Sequence, residues 1–462
     1  MPEGLGPLAV SCFDRQAGAL TQTANGMEFA YAADWVADEL PPLSQSLPLD
    51  GRFNAAAAAA FFGGLLPEGE PRRQLARLLG VSKSNDYSLL AMIAGDTAGA
   101  ITLLPQGDHL APFGGDVEWL DDAGLAQLLA ELPSRPMHVD ADGDYRLSLA
   151  GAQDKLPVVV DAGGRIGLTR GQTPSTHIIK TPIERLAHTV VNEALCPTIG
   201  RQLGADVVDA SAQRVAGHEF LLVKRYDRRE SDDGIVRLHQ EDFCQALGVP
   251  TARKYQAEGG PSLADCFALV RRATAVPARE VIKLLDDVAL NFLVGNHDAH
   301  AKNFSLLYLP ESSQAVLAPA YDVLSTFAYR RTHNLTRKMA MSIGGEQGRG
   351  PELAGRLQCG WLRCEAPARV GLKKAVGALW WRTRVKRRKA LLGGRAGQQR
   401  RCPIPVRGDR ERIGDAITAK SQHLTSGGLL GSGRLAGRPK DARTMVDGPA
   451  EVRGPRSTGR RL

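Results

Sequence analysis

The chain has 462 residues, 43% of them apolar, and a formal net charge of +8. Domains usually hold about 100 to 200 residues, so two or three domains are expected, and this apolar content excludes general disorder. No stretch approaches about 18 uninterrupted apolar residues, and residues 1–10 lack a basic region followed by an apolar run, so neither a membrane span nor a secretory signal is expected.

In chain order, residues 8–13 and 27–31 read as strands flanking a turn at Asn25-Gly26. Helices are expected over 55–62, 72–79 (with Gly80 as its C-terminal stop) and 86–93, then a strand over 99–104. Residues 108–116 read as a connection. Beyond it the pattern predicts strands over 146–149, 155–161, 165–169 and 176–181. A helix over 183–203 carries apolar Val190, Val191, Ala194, Leu195 and Ile199, and strands over 207–215 and 219–226 follow. This amounts to a mainly antiparallel sheet with one helix inserted. Helices then dominate at 241–247, 263–273 and 278–294. Residues 296–303 form a polar loop before strands at 304–308 and 315–318. A sheet-rich half followed by a helix-rich half, with polar loops at the join, predicts two lobes around a cleft. No internal repeat of fixed period is present.

The charge is unevenly distributed. Residues 1–346 hold 31 Lys+Arg against 42 Asp+Glu, whereas residues 347–462 hold 27 against 8. The basic balance belongs to the tail and gives no argument that the whole chain binds nucleic acid. Seven cysteines without a CxxC pair read as reduced, cytosolic thiols.

Four segments carry candidate chemistry. The first is Ser148-Leu149-Ala150-Gly151-Ala152-Gln153-Asp154-Lys155. Its small residues let backbone N–H groups approach a ligand, as a phosphate cradle requires, although a tight hairpin has the same composition. The second is Lys180, flanked by Ile178 and Ile179. A lysine in an apolar strand either reaches a partner or snorkels to water. Phosphoryl-transfer sites place such a lysine against nucleotide phosphates, oriented by a helix glutamate, here Glu193.

The third segment is the loop 296–303. Asp298 and Asn303, five residues apart, match the logic of a catalytic aspartate and a Mg²⁺-holding asparagine. His297, Asp298 and His300 admit a rival reading as a metal site, but loop positions at this spacing do not fix a tetrahedron. The fourth is Tyr321-Asp322-Val323, where a second Mg²⁺-binding aspartate is expected, although an aspartate after a strand also commonly caps a turn. The order of phosphate loop, strand lysine, helix glutamate, Asp298, Asn303 and Asp322 makes a phosphotransferase using Mg-ATP the leading class.

These segments, with LLPEGEPRRQLARLLGV, VNEALC, LLVKRYDRR, RLHQEDFCQALGVPTARKYQAEGGP, GNHDAHAKNFSLLY and APAYDVLS, resemble the HipA-type serine/threonine kinases of bacterial toxin–antitoxin systems. The resemblance spans about residues 8–345. It implies an α+β, two-lobed protein-kinase-like fold. An N-terminal subdomain covers 1–110, an N-lobe 111–240 and a helical C-lobe 241–346. By resemblance Asp298 is catalytic, and Asn303 and Asp322 hold Mg²⁺. Ala150, Gly151, Ala152, Gln153, Asp154 and Lys155 surround the ATP phosphates with Lys180, which Glu193 orients. Lys224, Arg225 and Tyr226 form the adenine hinge, and His300, Ala301, Lys302 and Tyr321 add nucleotide contacts. Ser148 takes the place of the family's autophosphorylated serine.

The family implies a cytoplasmic growth-arresting toxin that phosphorylates proteins, including aminoacyl-tRNA synthetases. A small helix-turn-helix antitoxin restrains it, and DNA is reached only through that partner. After about Gly345 the sequence departs from the family. Residues 347–462 contain 21 Arg and 19 Gly but no Phe, Tyr or Asn. Reading a GC-rich gene in the wrong frame gives that composition, and the fold is expected to be truncated or disordered there. The alternatives are a basic nucleic-acid-binding tail, or an inactive kinase-like protein that only binds antitoxin or nucleic acid.

Overall fold

The computed structural model describes residues 5–343 apart from 14, 94, 108–116, 139–148, 170–172, 233, 311–313, 331, 334 and 337. The expected connection at 108–116, Ser148 with most of the strand expected at 146–149, and the tail 347–462 lie outside the described residues. All described residues belong to one compact unit.

The N-terminal segment contains β1 (Leu8–Cys12), β2 (Arg15–Thr23), β3 (Gly26–Tyr31), α1 (Ala33–Ala37), α2 (Ala55–Gly63), α3 (Gly69–Leu78), α4 (Asp86–Ile93) and β4 (Ile101–Pro105). Its antiparallel sheet runs β3-β2-β1-β4. The sequence reading passed from β1 to the Asn25-Gly26 turn and missed β2. That strand is short of bulky side chains because Gly18 lies beneath the Phe29 ring and the Ala30 carbonyl, where a Cβ would collide. Asn54 caps α2 by accepting from the Ala57 N–H, and Gly80 at φ +66° follows the end of α3.

Next come β5 (Val117–Trp119), α5 (Asp122–Glu131), β6 (Lys155–Val160), β7 (Ile166–Thr169), β8 (His177–Lys180), α6 (Thr189–Gln202), β9 (Ala210–Val215), β10 (His218–Lys224), β11 (Arg228–Ser231) and β12 (Gly234–Arg237). Six of these strands form a sheet ordered β5-β7-β6-β8-β10-β9, and every pairing in it is antiparallel. Helix α6 is the expected insertion, but it starts six residues later than the 183 start implied by its apolar pattern. His188 takes a left-handed φ of 59° immediately before it, and Thr189 Oγ1 accepts from the Ile183 N–H. Val190 faces the core, whereas Val191, Leu195 and Ile199 stand exposed. One continuous core runs from Leu8 to Phe220, so segments 1–110 and 111–240 pack together.

The C-lobe comprises β13 (His239–Asp242), α7 (Phe243–Ala246), α8 (Leu263–Ala273), α9 (Pro277–Val294), β14 (Ser305–Tyr308) and β15 (Ala315–Leu317). Helix was expected from 241, yet His239, Gln240, Glu241 and Asp242 form a buried strand in a sheet ordered β13-β14-β15. Asp242 then opens α7 through a reciprocal capping box with Gln245. The same device, Ser262 with Asp265, starts α8. Proline begins α9, and Gly295 at φ +77° ends it, so the chain turns directly into the loop 296–303. The described cysteines, Cys12, Cys196, Cys244 and Cys266, are free and buried. Among the described residues no helix is long and apolar enough to cross a membrane.

Candidate active site

A cavity of about 1780 Å³ opens between the six-stranded sheet and the C-lobe. Ligand clefts commonly occupy roughly 300–1,000 Å³, so a drug-sized ligand and part of a second reactant fit together here. One wall is apolar. Val190, Val208, Leu221 and Val223 form a buried cluster, with Ile178, Tyr226 and Tyr321 packed against it. The Tyr226 and Tyr321 rings stack with centroids 5.6 Å apart. This wall suits a flat heteroaromatic base.

At the end of β8 the buried Lys180 amino group donates to Glu193 Oε1 at 2.5 Å and also to Asp322 Oδ1. Burial pulls this lysine toward neutrality, but Asp322 and Glu193 outweigh it and hold its pKa above the usual value. Asp322 shows the reverse balance: burial opposes its charge, and Lys180 and Lys155 hold it well below the usual carboxylate range. Asp322 sits at φ +53°, a left-handed conformation uncommon for a non-glycine residue and often retained at functional sites. The Asn296 side-chain amide fixes its carbonyl at 3.1 Å.

The loop before β6 folds over the same space. Gly151 takes φ +115°, which only glycine adopts readily. Lys155 Nζ donates back to the Ala150 carbonyl at 2.6 Å. Gln153 Nε2 donates to the Thr181 carbonyl at 2.7 Å, and the Thr181 N–H donates to the Asp154 carbonyl at 3.2 Å. The loop is therefore laced to the strand that bears Lys180.

On the opposite wall Asp298 Oδ1 accepts from the Tyr255 hydroxyl at 2.8 Å, and the Asp298 N–H donates to Asn296 Oδ1 at 3.1 Å. Burial raises the Asp298 pKa, opposed by the Tyr255 hydrogen bond and Lys254. A carboxylate with a raised pKa is a better proton acceptor. Asn303 Nδ2 donates to the Asp298 carbonyl at 3.2 Å. His300 is buried beneath Tyr255, with ring centroids 5.0 Å apart. Burial, then Lys254, push its pKa down to about 3, so its ring is neutral, and its Nδ1 has no hydrogen-bond partner among the described residues.

The sequence-derived site residues thus converge, with distinctions. Ala150, Gly151, Ala152, Gln153, Asp154, Lys155, Lys180, Glu193, Asp298, His300, Asn303, Tyr321 and Asp322 line the cavity. Ala301 instead sits in the C-lobe core. Lys302 lines the cavity, but its amino group is engaged by Asp242 Oδ2 at 2.9 Å and the Gly64 carbonyl at 3.0 Å. The Arg225 guanidinium is held by Asp227 and Asp96, and the backbone N–H groups of Lys224 and Arg225 donate to Asp209 and Thr176. Lys224, Arg225 and Tyr226 all line the cavity, and the Tyr226 ring stacks on Tyr321.

The rival metal reading fails on geometry. Among the described residues no group of three or more His, Cys, Asp or Glu side chains is placed to hold a metal ion. The His297 Nδ1 meets the Thr336 carbonyl, while His300 lies under Tyr255, so the two rings diverge. Asn296, Tyr255, Lys254 and Glu68 were missed in the sequence. Glu68 lies 186 positions from the lysine it pairs with, and no local spacing signals that.

Comparison with known proteins decides the lineage. A model of the HipA N-terminal domain matches residues 8–104, and a model of the HipA-like C-terminal domain matches residues 147–387. The chain belongs to the HipA family. It is 44% identical over 366 residues to the Sinorhizobium fredii protein named "Putative kinase Y4mE", covering 78% of this chain and 84% of that one. It is 32% identical over 349 residues to the serine/threonine-protein kinase toxin HipA of Shewanella oneidensis, covering 72% and 77%. Its fold matches the Shewanella oneidensis HipA solved with HipB and operator DNA, with a TM-score of 0.67, 26% identity, and 90% and 95% of the two chains covered. At family level the chain is a HipA-like kinase toxin.

The match to the HipA-like C-terminal domain continues to residue 387, past the departure expected at about Gly345.

Proposed function

We propose that this HipA-like chain is an ATP- and Mg²⁺-dependent serine/threonine protein kinase, the toxin of a two-gene module. The observation that carries the reading is Lys180 lying between Glu193 and Asp322 across one cavity from the Asp298–Tyr255 pair.

The residues present fit Mg-ATP. The Tyr226 and Tyr321 wall suits the base, and Lys180 and Lys155 offer cations to phosphates. Asn303 and Asp322 offer the hard oxygen ligands that Mg²⁺ prefers. Bound Mg-ATP would supply the transferable phosphoryl group. The chain's own work is positional. Glu193 orients Lys180, Asn296 fixes both the Asp298 N–H and the Asp322 carbonyl, and Asp298 holds or takes the proton of the accepting hydroxyl. The neutral His300 Nδ1 remains open for a polar contact with nucleotide.

Ser148, immediately before the phosphate loop, is the proposed autophosphorylation site. A phosphoserine there adds about −1.5 to −2 charge and repels nucleotide phosphates. The HipA–HipB–DNA neighbour supports a HipB-like antitoxin as partner, with DNA reached through it. Incubating the purified chain with labelled ATP and mapping the phosphopeptides tests both points. Phosphate on protein serine or threonine, with Ser148 among the sites, is the expected result. Label transferred only to a small molecule would reject the protein-kinase reading.

A further inference from the structure

The block beginning Leu65-Leu66-Pro67-Glu68 served the sequence reading only as a family mark, yet Glu68 enters the cavity wall. Its N–H donates to the Gly151 carbonyl at 2.9 Å, and Pro67 pairs with Gly151 in an isolated bridge. Gly69, at φ +59°, lies against Ala152, where an added Cβ would sit 3.5 Å from the Ala152 Cβ. Three consecutive residues therefore brace the small-residue loop from outside. The Glu68 side chain runs the other way. Its Oε2 accepts from Lys254 Nζ at 2.6 Å, and its Oε1 lies 4.0 Å from Lys302 Nζ. Lys254 directly precedes Tyr255, whose hydroxyl holds Asp298.

We propose that Glu68 is a positioning residue that clamps the phosphate loop to the catalytic wall, so that the N-terminal segment completes the nucleotide site. The physical case rests on the loop itself. Ala150, Gly151 and Ala152 carry almost no side chain to anchor them, and glycine at a left-handed φ gains much freedom if released. The Glu68 backbone fixes the loop, but only if Glu68 is itself fixed. Lys254 does this through an ion pair in which both side chains are about 15% exposed, shielded enough to outlast salt screening. Loop and catalytic aspartate are thereby set by one connected chain: Gly151, Glu68, Lys254-Tyr255, Asp298.

The proposal rests on the kinase reading for its kinetic part and stands without it for its structural part. The test uses the full chain with Glu68→Gln, which keeps shape and removes charge, with Lys254→Met, and with the double variant. Hydrogen exchange of the peptide spanning 149–155 is measured in nucleotide-free protein, followed by KM for ATP and kcat. Each single variant should speed exchange in that loop and raise KM about tenfold, with a smaller change in kcat, and the double variant should be no worse than either single one. Faster loop exchange in a protein whose wild type transfers no phosphate would support the clamp while removing the kinase assignment. Variants that melt at lower temperature but leave loop exchange and KM unchanged would reduce Glu68 to an ordinary structural tie and overturn the proposal.

Discussion

Lys155 and Lys180 stand directly opposite each other across the paired strands β6 and β8. Both are buried, but their partners differ. Lys180 has two carboxylates, Glu193 and Asp322, whereas Lys155 donates to the Ala150 carbonyl. Burial, then the Lys180 charge, lower the Lys155 pKa to about 8.

The pH dependence follows with a definite sign. In the nucleotide-free protein Lys155 is charged below about pH 8 and neutral above it. Its charged form costs folding stability below pH 8, and that cost is relieved as pH rises from about 8 toward the unfolded value near 10.4. Phosphates in the cavity would pull its pKa back up. Nucleotide binding at pH 8 to 9 should therefore take up a proton, and affinity should fall as pH rises. Calorimetry in buffers of different ionisation enthalpy reads the uptake directly, and Lys155→Met should abolish it. Identical enthalpies in every buffer would contradict the assignment.

The hinge is anchored by buried charge. Asp96 pairs with Arg228 at 2.7 Å and Arg225 at 3.4 Å, lies 3.6 Å from Arg237, and accepts from the Ser175 hydroxyl at 2.6 Å. Burial disfavours its charge, but Arg228, Arg225 and Arg237 hold its pKa well below the usual range. Asp96→Ala would strand buried guanidinium groups, which should lower stability by about 3–5 kcal/mol. Urea unfolding checks this; a loss under about 1 kcal/mol, the scale of an exposed pair, would not fit.

Glu241 gives a second pH signature. It accepts from Ser44 Oγ and the Tyr308 hydroxyl, both at 2.5 Å, and from the Gln45 N–H at 3.1 Å. Burial nevertheless raises its pKa to about 7. A carboxyl raised in the folded state binds its proton more tightly there, so its contribution is full below about pH 4.5 and is lost as pH rises toward 7. Melting temperatures across that window should fall with rising pH, and Glu241→Gln should flatten that part of the profile. An unchanged slope in the variant would show that Glu241 does not titrate there.

Much of the site was legible because its chemistry is local. Asp298 and Asn303 share one loop released by Gly295, and residues 150–155 share one turn. Periodicity placed α8 over its full span and α9 to within one residue, since their apolar faces pack on the C-lobe core. Strand β13 was misread because its polar residues are buried by distant partners: His239 by the Leu43 carbonyl and Glu241 by Ser44 and Tyr308. Polar residues in sequence look solvent-facing unless those partners are known. Glu68, Lys254 and Tyr255 were missed for the same reason, as their roles arise from contacts made in the folded chain. Lys302, a nucleotide contact by resemblance, lines the cavity with its amino group bridging Asp242 and the Gly64 carbonyl, partners that no local spacing signals.

The central claim is that this cavity transfers phosphate, with Asp298 positioning the accepting hydroxyl and Asp322 holding the metal. The most direct measurement is phosphotransfer and nucleotide affinity in parallel for wild type, Asp298→Ala and Asp322→Ala. Removal of Asp298 should cut turnover by roughly 10²–10⁴-fold while ATP still binds. Removal of Asp322 should weaken Mg-ATP binding itself, because the phosphate charge loses its metal ligand. Equal phosphotransfer by wild type and Asp298→Ala would contradict the account.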